Sequence, residues 1–268
     1  MTKPANAVPS SHPVIETRDL TVRFGGHVAV NAVSCAFHAG SLTAIVGPNG
    51  AGKTTYFNLM SGQIPATSGE VFMFGENISK LPPPLRTRRG IGRAFQLTNL
   101  FPFLTTLENI RIAVQARANT GLNLWSMWSS HKELLEKAEY ILEQVALTHQ
   151  RFTVAKALPH GDQRKLEVGL MLALEPEVFM FDEPTAGMSV DEVPVILDLI
   201  KKIKDQGNKT LLLVEHKMDV VRELADRIIV LHNGTLVADG EPNEVIASAV
   251  VQEAYLGAAP DKSKEARA

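Results

Sequence analysis

Thr43-Ala44-Ile45-Val46-Gly47-Pro48-Asn49-Gly50-Ala51-Gly52-Lys53-Thr54 runs from an apolar strand into a glycine-rich turn, and from Gly47 onward it fits the pattern G-x-x-x-x-G-K-[ST]. The spacing has a physical reason. Glycines let consecutive backbone N–H groups curl around phosphates, and a helix beginning near Lys53 adds roughly half a positive charge from its dipole. In that geometry Lys53 reaches the β- and γ-phosphates of a nucleotide and the Thr54 hydroxyl ligates Mg²⁺, with Thr55 beside it at the helix start.

Working outward, Val178-Phe179-Met180-Phe181 leads into Asp182-Glu183-Pro184, the form of a buried strand that ends in two carboxylates. Asp182 is suited to hold Mg²⁺, usually through water, and Glu183 to polarise an attacking water as general base. His216 follows the strand predicted at 210–215, which places it at the carboxyl edge of a parallel sheet, where an imidazole can contact a γ-phosphate. By the same logic Gln96, ending the strand predicted at 91–95, can approach Mg²⁺ and water.

The rest of the chain supplies an α/β frame. Short β-rich runs at 14–24, 32–37, 42–46, 70–74 and 91–95 are separated by turn signals such as Phe24-Gly25-Gly26. Apolar residues then recur at helical spacing over 106–118 and 131–147, and a further helix runs from about Gly161 to Pro176. Strand and helix alternate afterwards, with strands at 178–181, 210–214, 228–231 and 236–238 and helices at 193–204 and 218–225, the grammar of a parallel core sheet. A helical lobe at 98–176 is thus expected inside an α/β core.

Composition excludes several classes. The 268 residues carry 27 Lys and Arg against 29 Asp and Glu, so no whole-protein field recruits nucleic acid, and a polyanion must be bound by a local device. The single cysteine, Cys35, cannot form an internal disulfide or a cysteine metal cage; it reads as a small buried apolar residue in an intracellular chain. The best apolar stretch, Leu166 to Phe181, is interrupted by Glu167, Glu175, Pro176 and Glu177, so no spanning helix is expected. The start, small, polar and proline-rich, reads as a flexible lead and not as a secretory signal. Arg86, Arg88, Arg89 and Arg93 read as a solvated helix end rather than a lipid-facing patch, and Trp125 and Trp128 as packing within the helical lobe.

Phe24 before Gly25, the phosphate loop at 47–54, Gln96, Leu158-Pro159-His160-Gly161-Asp162, Asp182-Glu183 and His216 stand in the order and spacing of ABC transporter ATP-binding subunits, which the chain resembles over about 14–256. Arg23-Phe24-Gly25-Gly26, Gly-Asp-Gln-Arg at 161–164, Glu-Pro-Thr-Ala-Gly-Met at 183–188 and Ala254-Tyr255-Leu256-Gly257 resemble the subunits of branched-chain amino acid importers, a style shared with urea and short-chain amide importers.

The resemblance implies a P-loop NTPase of the ABC ATPase fold: a parallel core sheet, an antiparallel β subdomain and an inserted helical subdomain. It implies a core at about 14–97 and 177–240, a helical subdomain at about 98–176 and a C-terminal helical segment at about 241–256, between a lead at 1–13 and a tail at 257–268. It implies ATP and Mg²⁺ as ligands, stacking of Phe24 on adenine, and a transmission surface near Phe95 to Leu107 that receives the membrane subunit. Residues 158–162 match the signature that completes the ATP site of an opposing subunit in a head-to-tail dimer. The implied partners are a second, different ATPase chain, two integral membrane permeases and, indirectly, a periplasmic solute-binding protein, at the cytoplasmic face of the inner membrane. The chain departs from the family where Pro159, His160 and Asp162 replace the usual Leu-Ser-Gly-Gly-Gln residues, where Ser189 stands for an aspartate, and where Phe24 replaces a tyrosine. The competing readings are a soluble ATPase of the same superfamily and a nucleotide-gated switch without useful turnover.

Overall fold

The computed structural model of the chain describes residues 12–94, 100–118, 132–249 and 251–252. Among them, β1 (Ile15–Phe24), β2 (His27–Phe37), β4 (Ser68–Met73) and β5 (Glu76–Asn77) make an antiparallel sheet in the order β2-β1-β4-β5. A second sheet is built on β3 (Leu42–Val46), β7 (Val178–Asp182) and β8 (Thr210–Val214), each buried at every position. Runs of Leu, Ile, Val and Phe without alternation are what a strand covered on both faces requires. β6 (Ile91–Ala94) and β9 (Arg227–His232) extend it in parallel, and β10 (Thr235–Gly240) closes one edge antiparallel to β9, giving the order β10-β9-β3-β8-β7-β6.

Alternate residues of these strands serve different cores. Val178 and Met180 join Ile45, Leu212 and Val214 against the antiparallel sheet, with Tyr56, Phe57, Leu59 and Met60 of α1 (Lys53–Ser61) packed between the two sheets. The Tyr56 hydroxyl meets Thr17 Oγ1 at 2.7 Å, so the helix that follows the phosphate loop is tied to both sheets. Phe179 and Phe181 face the other way, into a cluster with α6 (Val193–Asp205) and the helical lobe. That lobe holds α3 (Thr106–Arg117), α4 (Lys132–Gln144) and α5 (His160–Leu174). Gly169 lets α5 approach α3, since a Cβ there would lie 2.7 Å from Ile110 Cδ1. The short α7 (Met218–Leu224) and α8 (Pro242–Ala247) cover the β9 side.

The four arginines do not form a solvated helix end. Arg86, on the short α2 (Pro83–Arg88), is only 4% exposed and donates to the carbonyls of Leu59, Met60, Ser79 and Leu81 at 2.7–2.9 Å. Arg93, with its side chain 10% exposed, packs against α1 and β7. Only Arg88 and Arg89 face solvent, the latter paired with Glu76. The expected helix end is therefore corrected: two of its cations satisfy carbonyls and a carboxylate in the interior, which offsets their burial. Cys35 is buried, as composition suggested. Trp125, Trp128, Gln96 and the segments at 1–11 and 257–268 lie outside the described residues. Among the described residues no helix is long and apolar enough to cross a membrane.

Candidate active site

The site gathers where β3, β7 and β8 end. Gly47 and Gly52 are dictated by close backbone approach: a Cβ at Gly47 would lie 2.1 Å from the Leu231 carbonyl oxygen, and one at Gly52 would lie 2.4 Å from that of Ala29. Both have positive φ, 151° and 97°, so a side chain would be strained as well as crowded. Pro48 and Ala51 shape the turn through the Ala51 N–H, which donates to the Pro48 carbonyl, and Asn49 and Gly50 stand exposed at its tip. α1 begins at Lys53, as the motif predicts, so its unpaired N–H groups face the loop.

Lys53 is buried and its Nζ donates to the Gly47 and Pro48 carbonyls at 2.8 and 2.9 Å. Burial pulls its pKa down, and the carboxylates of Glu183 and Asp182 oppose that shift. The ammonium therefore sits inside the loop, with a donor left over after its two loop carbonyls. Thr54 and Thr55, half-buried, follow on the first turn.

Asp182 ends β7 with a side chain 3% exposed. Its Oδ1 accepts from Thr54 Oγ1 at 3.4 Å and its Oδ2 from Arg93 Nη2 at 2.9 Å. Burial pushes its pKa up, against the pull of the Arg93 guanidinium. Two hard oxygen donors face each other here, a set that suits Mg²⁺, which takes one or two protein oxygens and fills its octahedron with water and phosphate. Among the described residues no group of three or more His, Cys, Asp or Glu could hold a metal, so a dedicated protein cage is absent there.

Glu183 occupies a left-handed conformation, φ 52°, which costs a non-glycine residue about 1 kcal/mol or more. Its N–H still pairs with the Val214 carbonyl at 2.9 Å, and the twist turns its carboxylate to His216, whose Nε2 lies 2.7 Å from Oε1. A third residue, missed in the sequence, steadies this pair. Glu215 is buried; its Oε1 accepts from the N–H groups of His216 and Lys217, and its Oε2 from Thr185 Oγ1. A carboxylate inside an otherwise apolar strand end, Leu-Leu-Leu-Val-Glu-His, was the available signal.

Phe24 ends β1 at the β1–β2 hairpin and is 53% exposed, so it is not a core phenylalanine. The same hairpin brings Ala29 against Gly52, which sets an exposed ring on the strand pair beside the loop.

The 158–162 segment leads into α5, with the His160 ring 3.2 Å from where a Cβ of Gly187 would stand. Leu158 is buried, Pro159 precedes the first turn of α5 without a side-chain cap, and His160 is exposed. Asp162 is buried and bonds Lys165 Nζ at 2.8 Å, so its charge is matched within its own helix. Gly161 packs directly on Glu192: a Cβ there would be 1.8 Å from Glu192 Oε1, while Oε2 accepts from the Ser189 N–H and hydroxyl. Those bonds hold the Glu192 carboxyl below its ordinary range.

The model of the ABC transporter family matches residues 30–186. The chain is 37% identical to the high-affinity branched-chain amino acid transport ATP-binding protein BraF of Pseudomonas aeruginosa and 35% identical to its LivG counterpart in Escherichia coli; each alignment covers 93% of this chain and all of the relative. Among solved structures, the ADP conformation of MJ1267, an ATP-binding cassette of an ABC transporter, superposes with a TM-score of 0.78 at 28% identity over 92% of this chain and all of that one. A post-hydrolysis dimer of the cassette MJ0796 with ADP and Pi gives 0.73 at 26% identity over 85% of this chain and 98% of that one.

Proposed function

This chain belongs to the ABC transporter family as an ATP-binding, ATP-hydrolysing subunit, and on that premise we propose that it drives an importer for branched-chain amino acids. The observation that carries the catalytic part is the meeting, at one sheet edge, of the Lys53 loop, the Thr54–Asp182 oxygen pair and the Glu183–His216 pair. Lys53 and the loop N–H groups bind the phosphates. Thr54 and Asp182 would hold Mg²⁺, which when bound would supply positive charge against the phosphate oxygens. Glu183 accepts a proton from the attacking water, and His216 orients the Glu183 carboxylate and reaches the γ-phosphate. Phe24 stacks on adenine, and Gln96, two positions past the last residue of β6 in the sequence, would approach the metal.

Residues 158–162 serve a different nucleotide, that of a second ATPase chain, through the N–H groups that open α5. With Asp162 neutralised by Lys165, the carboxylate introduced in this segment does not oppose that contact. Two permease subunits anchor the pair at the cytoplasmic face of the inner membrane, and a binding protein delivers solute on the far side. The relatives' names favour branched-chain amino acids over urea or amides and leave the soluble-ATPase and switch readings without support.

The test is the assembled transporter in proteoliposomes, with its permeases, partner ATPase and binding protein. Leucine, isoleucine or valine should stimulate ATP hydrolysis and accumulate, and urea and acetamide should do neither. Stimulation by urea or an amide alone would replace the solute assignment.

A further inference from the structure

We propose that Arg93 is a positioning residue for the metal: it braces the strand end bearing Asp182 against the helix bearing Thr54, so that one carboxylate oxygen is held for Mg²⁺. The proposal rests on the reading that Thr54 and Asp182 are the protein's metal donors.

The geometry is that of a cross-tie. Arg93 lies on β6 with a side chain 10% exposed. Its Nη1 donates to Asn58 Oδ1 at 2.7 Å and to Ser61 Oγ at 2.8 Å, two residues one turn apart on the same face of α1. Its Nη2 donates to Asp182 Oδ2 at 2.9 Å, and its guanidinium carbon lies 5.7 Å from the centroid of the Phe57 ring, also on α1. Arg93 pairs with Met180 in the β6–β7 ladder, so Asp182 is its diagonal neighbour, within reach of a long side chain.

The two oxygens of Asp182 are thereby made unequal. Oδ2 is held by the guanidinium, and Oδ1 is left facing the Thr54 hydroxyl. Thr54 and Asp182 stand on different elements, and a planar fork bonded to Asn58 and Ser61 of α1 and to Asp182 of β7 fixes the separation of the two donors. Lysine, a point charge, cannot hold three acceptors in one plane. Groups that orient a metal's direct ligands typically change metal affinity by roughly 10- to 100-fold when removed. The cation also repels the metal, so the proposal requires positioning to outweigh that repulsion, and this sets the sign of the test.

The experiment uses the full chain with ATP, with Mn²⁺ as the probe and free Mn²⁺ counted by electron paramagnetic resonance. Binding of a fluorescent ATP analogue in EDTA is measured in parallel. Arg93→Met should weaken Mn²⁺ binding to the nucleotide complex by about 10-fold or more, Arg93→Lys should recover part of the loss, and metal-free nucleotide affinity should stay within about twofold. Should Arg93→Met fail to fold, the double variant Asn58→Ala, Ser61→Ala keeps the Asp182 pair and cuts only the tie to α1; it should still weaken Mn²⁺ binding by about threefold or more. Wild-type Mn²⁺ affinity in the variants, with Asp182→Asn losing it, overturns the role of Arg93 alone. Mn²⁺ binding indifferent to Asp182→Asn overturns the metal-site reading and this proposal with it.

Discussion

Replacing Arg86 by methionine should destabilise the protein severely, although the residue stands in a run of arginines next to a turn. Arg86 has four carbonyl acceptors: Leu59 at 2.8 Å, Met60 at 2.8 Å, Ser79 at 2.7 Å and Leu81 at 2.9 Å. Methionine fills much of the volume and donates nothing, so acceptors in the interior lose a charged donor. A buried acceptor left without a donor costs about 1–3 kcal/mol. Leu59 keeps the Gly62 N–H at 3.2 Å, which leaves three carbonyls to carry the loss. The Ser79 and Leu81 contacts are only partly buried, so taking the lower half of that range for each gives about 3–6 kcal/mol, or a fall in Tm of roughly 10 °C or more for a chain of this size. A solvated arginine would give less than about 0.5 kcal/mol, so the two readings differ by an order of magnitude. The assay is thermal and urea unfolding of the full chain followed by circular dichroism. A second variant isolates the contact: Gly62 has φ 79° and a Cβ there would lie 2.7 Å from Arg86 Nε. Gly62→Ala should therefore cost less in the Arg86→Met background than in the wild type, because one of its two penalties is gone. A Tm within about 2 °C of wild type for Arg86→Met would refute the argument, since that shift corresponds to about 1 kcal/mol at most.

Other perturbations address the site. Glu183→Gln should preserve ATP binding while hydrolysis in the assembled transporter falls by roughly 10²- to 10⁴-fold, because shape survives and the base does not; unchanged turnover removes Glu183 from that role. Phe24→Ala should weaken ATP and GTP alike and leave Tm unchanged, since the ring is exposed, and Phe24→Tyr should be nearly neutral; equal nucleotide affinity in the alanine variant, measured by fluorescence titration, would end the stacking assignment. Gly161→Asp in a Glu183→Gln background should abolish ATP-driven association with the partner chain yet spare nucleotide binding to the isolated subunit, because the new carboxylate meets Glu192 at the opening of α5; association that persists would mean that 158–162 do not cap a nucleotide.

Much of this fold could be read from local pattern. The ends of β3 and β8 fall where the apolar runs end, because strands buried on both faces leave no alternation to misjudge. α3 begins at Thr106 behind a capping box in which Thr105 and Glu108 bond reciprocally, a signature written in four residues. β2 starts at His27, five residues before the predicted start, because an edge strand of exposed and half-buried residues resembles loop. β5 has two residues and α2 six, too short to show a period, and both exist through contacts made elsewhere in the chain. That the turn at 47–54, Asp182, Glu183 and His216 would come together was legible because each follows an apolar run that ends at the same side of the parallel sheet. Glu215 was not, since its role lies in bonds to Thr185 and to the N–H groups after it.

The arginines show why the remaining part was hidden, and where a signal for it lay. A cation near a turn reads as solvated because charge is costly to bury, and that inference fails where acceptors already lack donors. α1 has no basic residue in its last turn, and the Ser61 hydroxyl and Gly62 N–H reach the carbonyls of Phe57, Asn58 and Leu59 but not that of Met60. The helix is also wedged between two sheets, where water cannot reach its terminal carbonyls readily. A buried helix with such an end requires a donor from outside, and Arg86 meets that requirement from a helix more than twenty residues later. Arg93 answers the corresponding demand at the end of β7, where Asp182 is a buried carboxylate requiring a cation. Its neighbour Gly92 packs on Pro176, where a Cβ would lie 2.6 Å from the ring, so the two residues serve opposite faces of β6. The question that finds such residues is which buried carbonyl or carboxylate lacks a partner, asked of the helix and strand ends and not of the basic run.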